Sequence, residues 1–189
     1  MTATSAPRPR GIGALTVLGL LAFLGIAALS VLTVWQIERR AWKLDLIERV
    51  EARVKANPSA PPTDAAWSAG TPKDFEYARV ALSGQFLDAS EVLVQAVTER
   101  GGGFWVVTPV QTAGGRTVLV NRGFVPSDAR DPAAHPAVEG EARVVGLLRL
   151  SEPKGGFLRS NDPAADRWFS RDVEAIAASR NLGAVAPFF

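Results

Sequence analysis

The apolar and polar positions divide the chain into three stretches of different period. From Gly11 to Ile37 no side chain is charged. About 24 such residues make a helix of about 36 Å, enough to cross a hydrocarbon core of about 30 Å. The pattern predicts a transmembrane helix over 11-37. The competing reading is a cleaved signal peptide, but its apolar region runs to only about 7 to 15 residues, so a retained anchor is expected. Trp35 and Trp42 suit the headgroup level, where one ring edge is apolar and the indole N–H stays wet. Over 38-56, Leu44, Ile47, Val50 and Val54 recur every three or four residues and share one face of a juxtamembrane helix. That face meets either a partner or the chain's own domain. Four prolines between Asn57 and Asp74 then forbid helix and predict a linker over 57-74 with extended, solvated backbone.

Beyond residue 75 the period becomes two. Strands are predicted at Glu76 to Phe86, Glu91 to Val97, Phe104 to Thr112, Arg116 to Val125 and Arg143 to Leu150. Gly101 to Gly103 and Ala113 to Gly115 sit where hairpin loops need positive φ. Near the end Asp172 reads as an N-cap, Glu174 falls in the first turn, and Gly183 is the expected stop. The fold class is therefore membrane-anchored and mainly β (α+β). An N-terminal transmembrane helix precedes an antiparallel sheet over 75-189, curled toward a barrel or sandwich, with a short C-terminal helix. The closing Ala-Pro-Phe-Phe reads as the start of further chain.

Charge narrows the function classes. The net charge of +2 gives no basic surface for nucleic acid. Arginines flank the apolar run on both sides, so the charges alone do not orient it. There is no cysteine and one histidine, His135, set between prolines. It reads as a solvated loop histidine, with an axial haem ligand as the alternative. Gly101 to Gly103 lack the Lys-Ser or Lys-Thr of a phosphate loop, and Asp162, Asp166 and Asp172 lack calcium-loop spacing. With no nucleophile-base pair, catalytic residues are expected to be none, metal sites none, and the protein no enzyme. Arg122 in NRGFVP has two open readings: a fork for a propionate or an acidic partner, or a structural bulge permitted by Gly123.

Six stretches in this order resemble one family: TVWQIERRAWKLDLI after the span, SGQF at Ser83, FWVVTPV at Phe104, VLVNRGFVP at Val118, GLLRLSEP at Gly146 and FLRSNDPAADRWFSRD at Phe157. Together they resemble the Surfeit-locus-one family of cytochrome c oxidase assembly factors. The resemblance implies two spans bracketing a β-rich domain outside the bacterial inner membrane, with the N-terminal tail 1-10 in the cytoplasm and the domain in the periplasm. It also implies the oxidase catalytic subunit as partner beside the lipid bilayer, contact with the haem a synthesis machinery, and haem a as a transient ligand. A scaffold of an envelope complex without haem is the alternative. Carried over residue by residue, Trp35, Arg39, Trp42 and Arg122 become candidate haem a or propionate contacts. Gln36, Lys43, Asn121, Gly123, Phe124, Pro126, Asn161, Pro163, Trp168 and Phe169 become candidate partner contacts. Phe124 stands where the family usually has Trp, and the family's second span, with its histidine, would lie beyond Phe189.

Overall fold

The computed structural model describes residues 11–131, 136–156 and 158–189, so the tail 1-10, His135 and Phe157 lie outside the described residues. The chain forms two compact units, 1–51 and 52–189. The first contains most of α1, Ile12–Lys55, one uninterrupted helix of 44 residues with none buried. The predicted span and juxtamembrane helix are thus one element, since neither Gly nor Pro occurs between Gly25 and Pro58 to break the ladder. Ser30 and Thr33, inside the apolar run, donate their hydroxyls to the carbonyls of Ile26 and Leu29, both at 2.8 Å. No O–H there is left seeking water.

In the second unit, the stretch 57-74 is not simply extended. Thr63 caps α2, Asp64–Ala69, by accepting from the Ala66 N–H at 3.2 Å. A capping box of Thr71 and Asp74 then opens α3, Pro72–Phe75. The prolines end α1 as expected, but threonines restart helix wherever Trp67 and Phe75 can reach apolar neighbours. Their rings stack at 5.4 Å, and Trp67 also lies 5.1 Å from Phe188.

Five strands follow: β1 Arg79–Phe86, β2 Val92–Thr98, β3 Gly101–Thr112, β4 Thr117–Pro126 and β5 Glu141–Leu147. All pairings are antiparallel. β2 pairs the first part of β3 and β1 its last residues, β4 runs along β3, and β5 pairs β1. The sheet stays open: among the described residues no strand pairing joins β4 to β5. Neighbouring residues of β4 feed two cores on opposite faces. Leu119 packs with Val94, Val107, Trp168 and Ile176, whereas Val118 packs with Val80, Leu148 and Phe188.

Two predicted boundaries move. Gly102 and Gly103 lie inside β3 rather than in a loop. A Cβ at Gly103 would collide with the Val125 carbonyl and the Phe124 ring, so the glycine admits a close approach. Helix α4, Val173–Ser179, is capped by Asp172 through the Ala175 N–H at 3.2 Å. Its stop is Asn181, at φ 51°, and not Gly183. The final residues then pair with the start of β4 and with the stretch that follows β5. The Thr117 N–H donates to Ala184 and its carbonyl accepts from Ala186, while Arg149 exchanges both backbone bonds with Phe189 at 2.6 and 3.0 Å.

Candidate binding site at the β4 bulge

Pairing of β3 with β4 matches Val107 to Asn121 and Val106 to Gly123, which leaves Arg122 as one extra residue in β4. The motif supplies what this bulge needs. Gly123 takes φ 131°, a conformation costly for any side chain, and the Asn121 Oδ1 accepts from the Gly123 N–H at 3.0 Å. Pro126 ends the strand. Phe124 lies across from Trp105, their rings 5.7 Å apart at 73°.

The bulge aims the Arg122 side chain at a polar cluster. Its Nη1 donates to Asp88 Oδ1 at 3.0 Å and to Glu91 Oε2 at 3.4 Å, and its Nη2 donates to the Pro136 carbonyl at 2.7 Å. The guanidinium also lies over the Phe86 ring, 5.5 Å from its centre. Glu91 Oε2 accepts in turn from the fully buried Thr108 hydroxyl at 3.0 Å. An anion approaching Arg122 would therefore compete with two carboxylates. The bulge that Gly123 permits is present, and its arginine is bonded to Asp88 and Glu91.

A second group of motif residues organises the loop before α4. Asn161 Oδ1 accepts from the backbone N–H of Phe169 at 2.8 Å and of Ser170 at 3.1 Å, while its Nδ2 donates to Ser170 Oγ. Pro163 opens a single 3-10 turn, Pro163–Ala165. Trp168 is 1% exposed, and its indole N–H donates to Asp166 Oδ1 at 2.8 Å. Arg180 donates to the same oxygen at 2.7 Å and to the Glu91 carbonyl at 3.1 Å, linking this loop to the Arg122 cluster. Partial burial alone would raise the Asp166 carboxyl; the bonds from Arg180 and Trp168 outweigh it and hold the group below its ordinary value of 3.8. Asp162 is lowered too, chiefly by Arg167 and then by the Ala165 N–H.

Beside the bulge a cleft of about 410 Å³ opens between β4 and β5. Its walls include Val80, Leu82, Val118 and Phe188, and three arginines reach it: Arg122, Arg149 and Arg171. Arg149 and Arg171 were not among the residues predicted for the site, although GLLRLSEP and FSRD contain them. Their placement depends on Glu76 and Glu152, distant in sequence, which they meet at 3.5 and 2.6 Å. On α1, Arg39 stacks on Trp35 at 5.0 Å, and Gln36, Trp42 and Lys43 are exposed. The sequence-predicted residues thus form three groups, one on α1, one at the bulge and one in the loop before α4.

The model of the SURF1 family matches residues 23–189, which include all three groups. The chain belongs to the SURF1 family. It is 38% identical over 162 residues to human Surfeit locus protein 1, covering 76% of this chain and 53% of that protein. The Xenopus tropicalis protein of the same name is 35% identical over 177 residues, 84% of this chain and 56% of its own length. A SURF1-like protein of Monosiga brevicollis is 37% identical over 161 residues, 78% and 60% of the two chains. The chain spans about half the length of the curated relatives it matches. The bulge, the Asn161 loop and the buried Trp168 therefore belong to the part shared with the SURF1 family.

Proposed function

We propose that the protein is an assembly factor for cytochrome c oxidase, held by α1 in the bacterial inner membrane with its tail in the cytoplasm and its β domain in the periplasm. The observation that carries this reading is the SURF1 family match over 23–189, which begins within the uncharged stretch of a helix long enough to span a bilayer. The protein acts by binding and not by catalysis, and its partner is the catalytic subunit of the oxidase. Haem a is the transient ligand of this reading. The stacked pair Arg39 and Trp35, with Trp42 two turns from Trp35, suits it chemically: indole faces for the macrocycle and a guanidinium for a propionate. When bound, the group would be cargo, and these residues would hold it while leaving its iron chemistry to the oxidase.

Deleting the gene in its own host tests the assembly reading. Reduced-minus-oxidised membrane spectra should lose the haem a band together with oxidase activity, while b- and c-type cytochromes remain. Unchanged spectra and activity, in a host with no second copy, would overturn it.

A specific observation favours a second reading, a membrane-tethered scaffold that never touches haem. Arg122 is spent on Asp88 and Glu91, and Asn161 on its own loop, so these motif residues serve the fold. Titration of the purified chain with haem a separates the readings. A Soret shift weakened by Trp35→Ala supports carriage of haem, whereas no shift supports the scaffold.

A further inference from the structure

The loop around Gly155 and Arg159 is braced at its base and strained at its tip. The Lys154 N–H donates to Asp172 Oδ2 at 3.0 Å and the Gly155 N–H to Ser170 Oγ at 3.0 Å, which ties the base to the cap of α4 and to the Asn161 network. Gly155 takes φ 111°, and a Cβ there would strike the Arg159 carbonyl. Gly156 and Arg159 then close a tight turn, the Arg159 N–H donating to the Gly156 carbonyl at 3.3 Å. Its third residue, Leu158, is held at φ 58°, where glycine or asparagine would sit with less strain. The leucine gains no burial in return: it is 88% exposed and belongs to neither core. An exposed leucine alone says little, but one held at positive φ on a braced loop carries a strain that the domain's own packing does not offset.

The turn stands at the β2 edge. Arg159 Nη1 donates to Gln95 Oε1 at 2.9 Å, and the guanidinium lies over the Phe169 ring, 5.4 Å from its centre. Two residues along β2 on the same face as Gln95, Val97 is 86% exposed. This edge is the opposite one from β5. Gln95 pairs Phe104, whereas Thr117, which bonds Ala184 and Ala186, pairs Gln111; the two points are about 23 Å apart along β3, so the tip is remote from residues 184–189. Gln95 also lies at the other end of the sheet from Arg79, whose Nη1 donates to the Ala56 carbonyl just past α1. That position favours a protein over a lipid surface as the occupant. Lys154 and Arg159 flank the tip, and among the described residues neither side chain pairs with a carboxylate.

We propose that this turn is the anchor the protein offers its partner: Leu158 enters an apolar pocket of the oxidase catalytic subunit, and Lys154 and Arg159 meet carboxylates at the pocket's rim. Val97 widens the apolar contact beside it. A side chain already fixed by its backbone loses little freedom on docking, which is what a small anchor needs to hold a partner. The inference rests on the oxidase reading and names the surface through which it works.

The test returns the full chain or its variants, at equal levels in the membrane, to a host from which the gene is deleted, and reads oxidase activity and the haem a band. Leu158→Asn suits the backbone at φ 58° and removes the apolar side chain. The unfolding midpoint of the purified chain in detergent should hold or rise, while oxidase activity falls at least fivefold. Leu158→Met should recover at least half of that loss. Lys154→Glu should lower activity at least threefold at an unchanged midpoint. A benzophenone side chain placed at Leu158 should crosslink the oxidase catalytic subunit, and one placed at the exposed Lys73 should not. Full activity with Leu158→Asn, or a midpoint lowered by it, would overturn the proposal, and so would crosslinks to lipid alone. If deletion itself leaves the oxidase intact, the oxidase reading fails and takes this inference with it; if deletion abolishes the oxidase and Leu158→Asn restores it fully, the inference fails alone.

Discussion

Removing the Arg122 side chain would take from Asp88 and Glu91 the guanidinium that bonds both, beside the buried Thr108 hydroxyl that donates to Glu91. The Arg122 side chain is 17% exposed, so solvent screens the loss only in part. Arg122→Ala should lower unfolding free energy by about 2–3 kcal/mol in urea titrations. Arg122→Lys should recover less than half, because an ammonium cannot span Asp88, Glu91 and the Pro136 carbonyl together. Asp166 gives a pH signature. Its carboxyl is lowered in the folded protein, so its contribution is fully present above the unfolded value and is lost as pH falls through the folded one. Acid unfolding followed from pH 6 downward should therefore be shallower below about pH 4 in Asp166→Asn than in the parent. Equal slopes would mean that Arg180 and Trp168 do not hold the ionised form.

At the level of elements, the loop before α4 depends on one amide. Asn161 joins Phe169 and Ser170, and Ser170 Oγ in turn serves Gly155 and the Glu152 carbonyl. Asn161→Ala strands two backbone donors and should cost about 2–4 kcal/mol by chemical denaturation. Asn161→Asp, which keeps the acceptor, should cost less. Gly123→Ala forces a side chain into φ 131° and should cost about 1–3 kcal/mol in the same assay, without altering the surface. How legible these elements were follows from the range of the interactions behind them. The helix 12–55 and the strands were readable because apolar run and alternation are local patterns, and the bulge was readable because Asn, Gly and Pro encode it within six residues. The helices at Asp64 and Pro72 were missed because their rings are anchored by Phe188, over a hundred residues later. Gly103 was assigned to a loop because its reason, the Phe124 ring, lies on another strand. The cleft was not legible at all: Arg149 and Arg171 come to one hollow only in the folded chain.

For the molecule as a whole, the division at Ala52 separates an apolar helix with no buried residue from a domain holding both cores. The cut falls before Arg53, whose Nη1 donates to the Glu76 carbonyl at 2.6 Å, so the last turn of α1 stays with the sheet it touches. A fragment 52–189 therefore keeps every residue of the two cores. It should remain in the supernatant without detergent and unfold in one cooperative transition, with Trp105 and Trp168 reporting the same midpoint as far-ultraviolet dichroism. The full chain, with its uncharged run, should pellet with membranes and need detergent for release. Should the fragment be soluble yet show no cooperative transition, the residues before Ala52 would be supplying stability that burial does not reveal, and the helix would have to be counted as part of the domain's fold and not as its anchor alone.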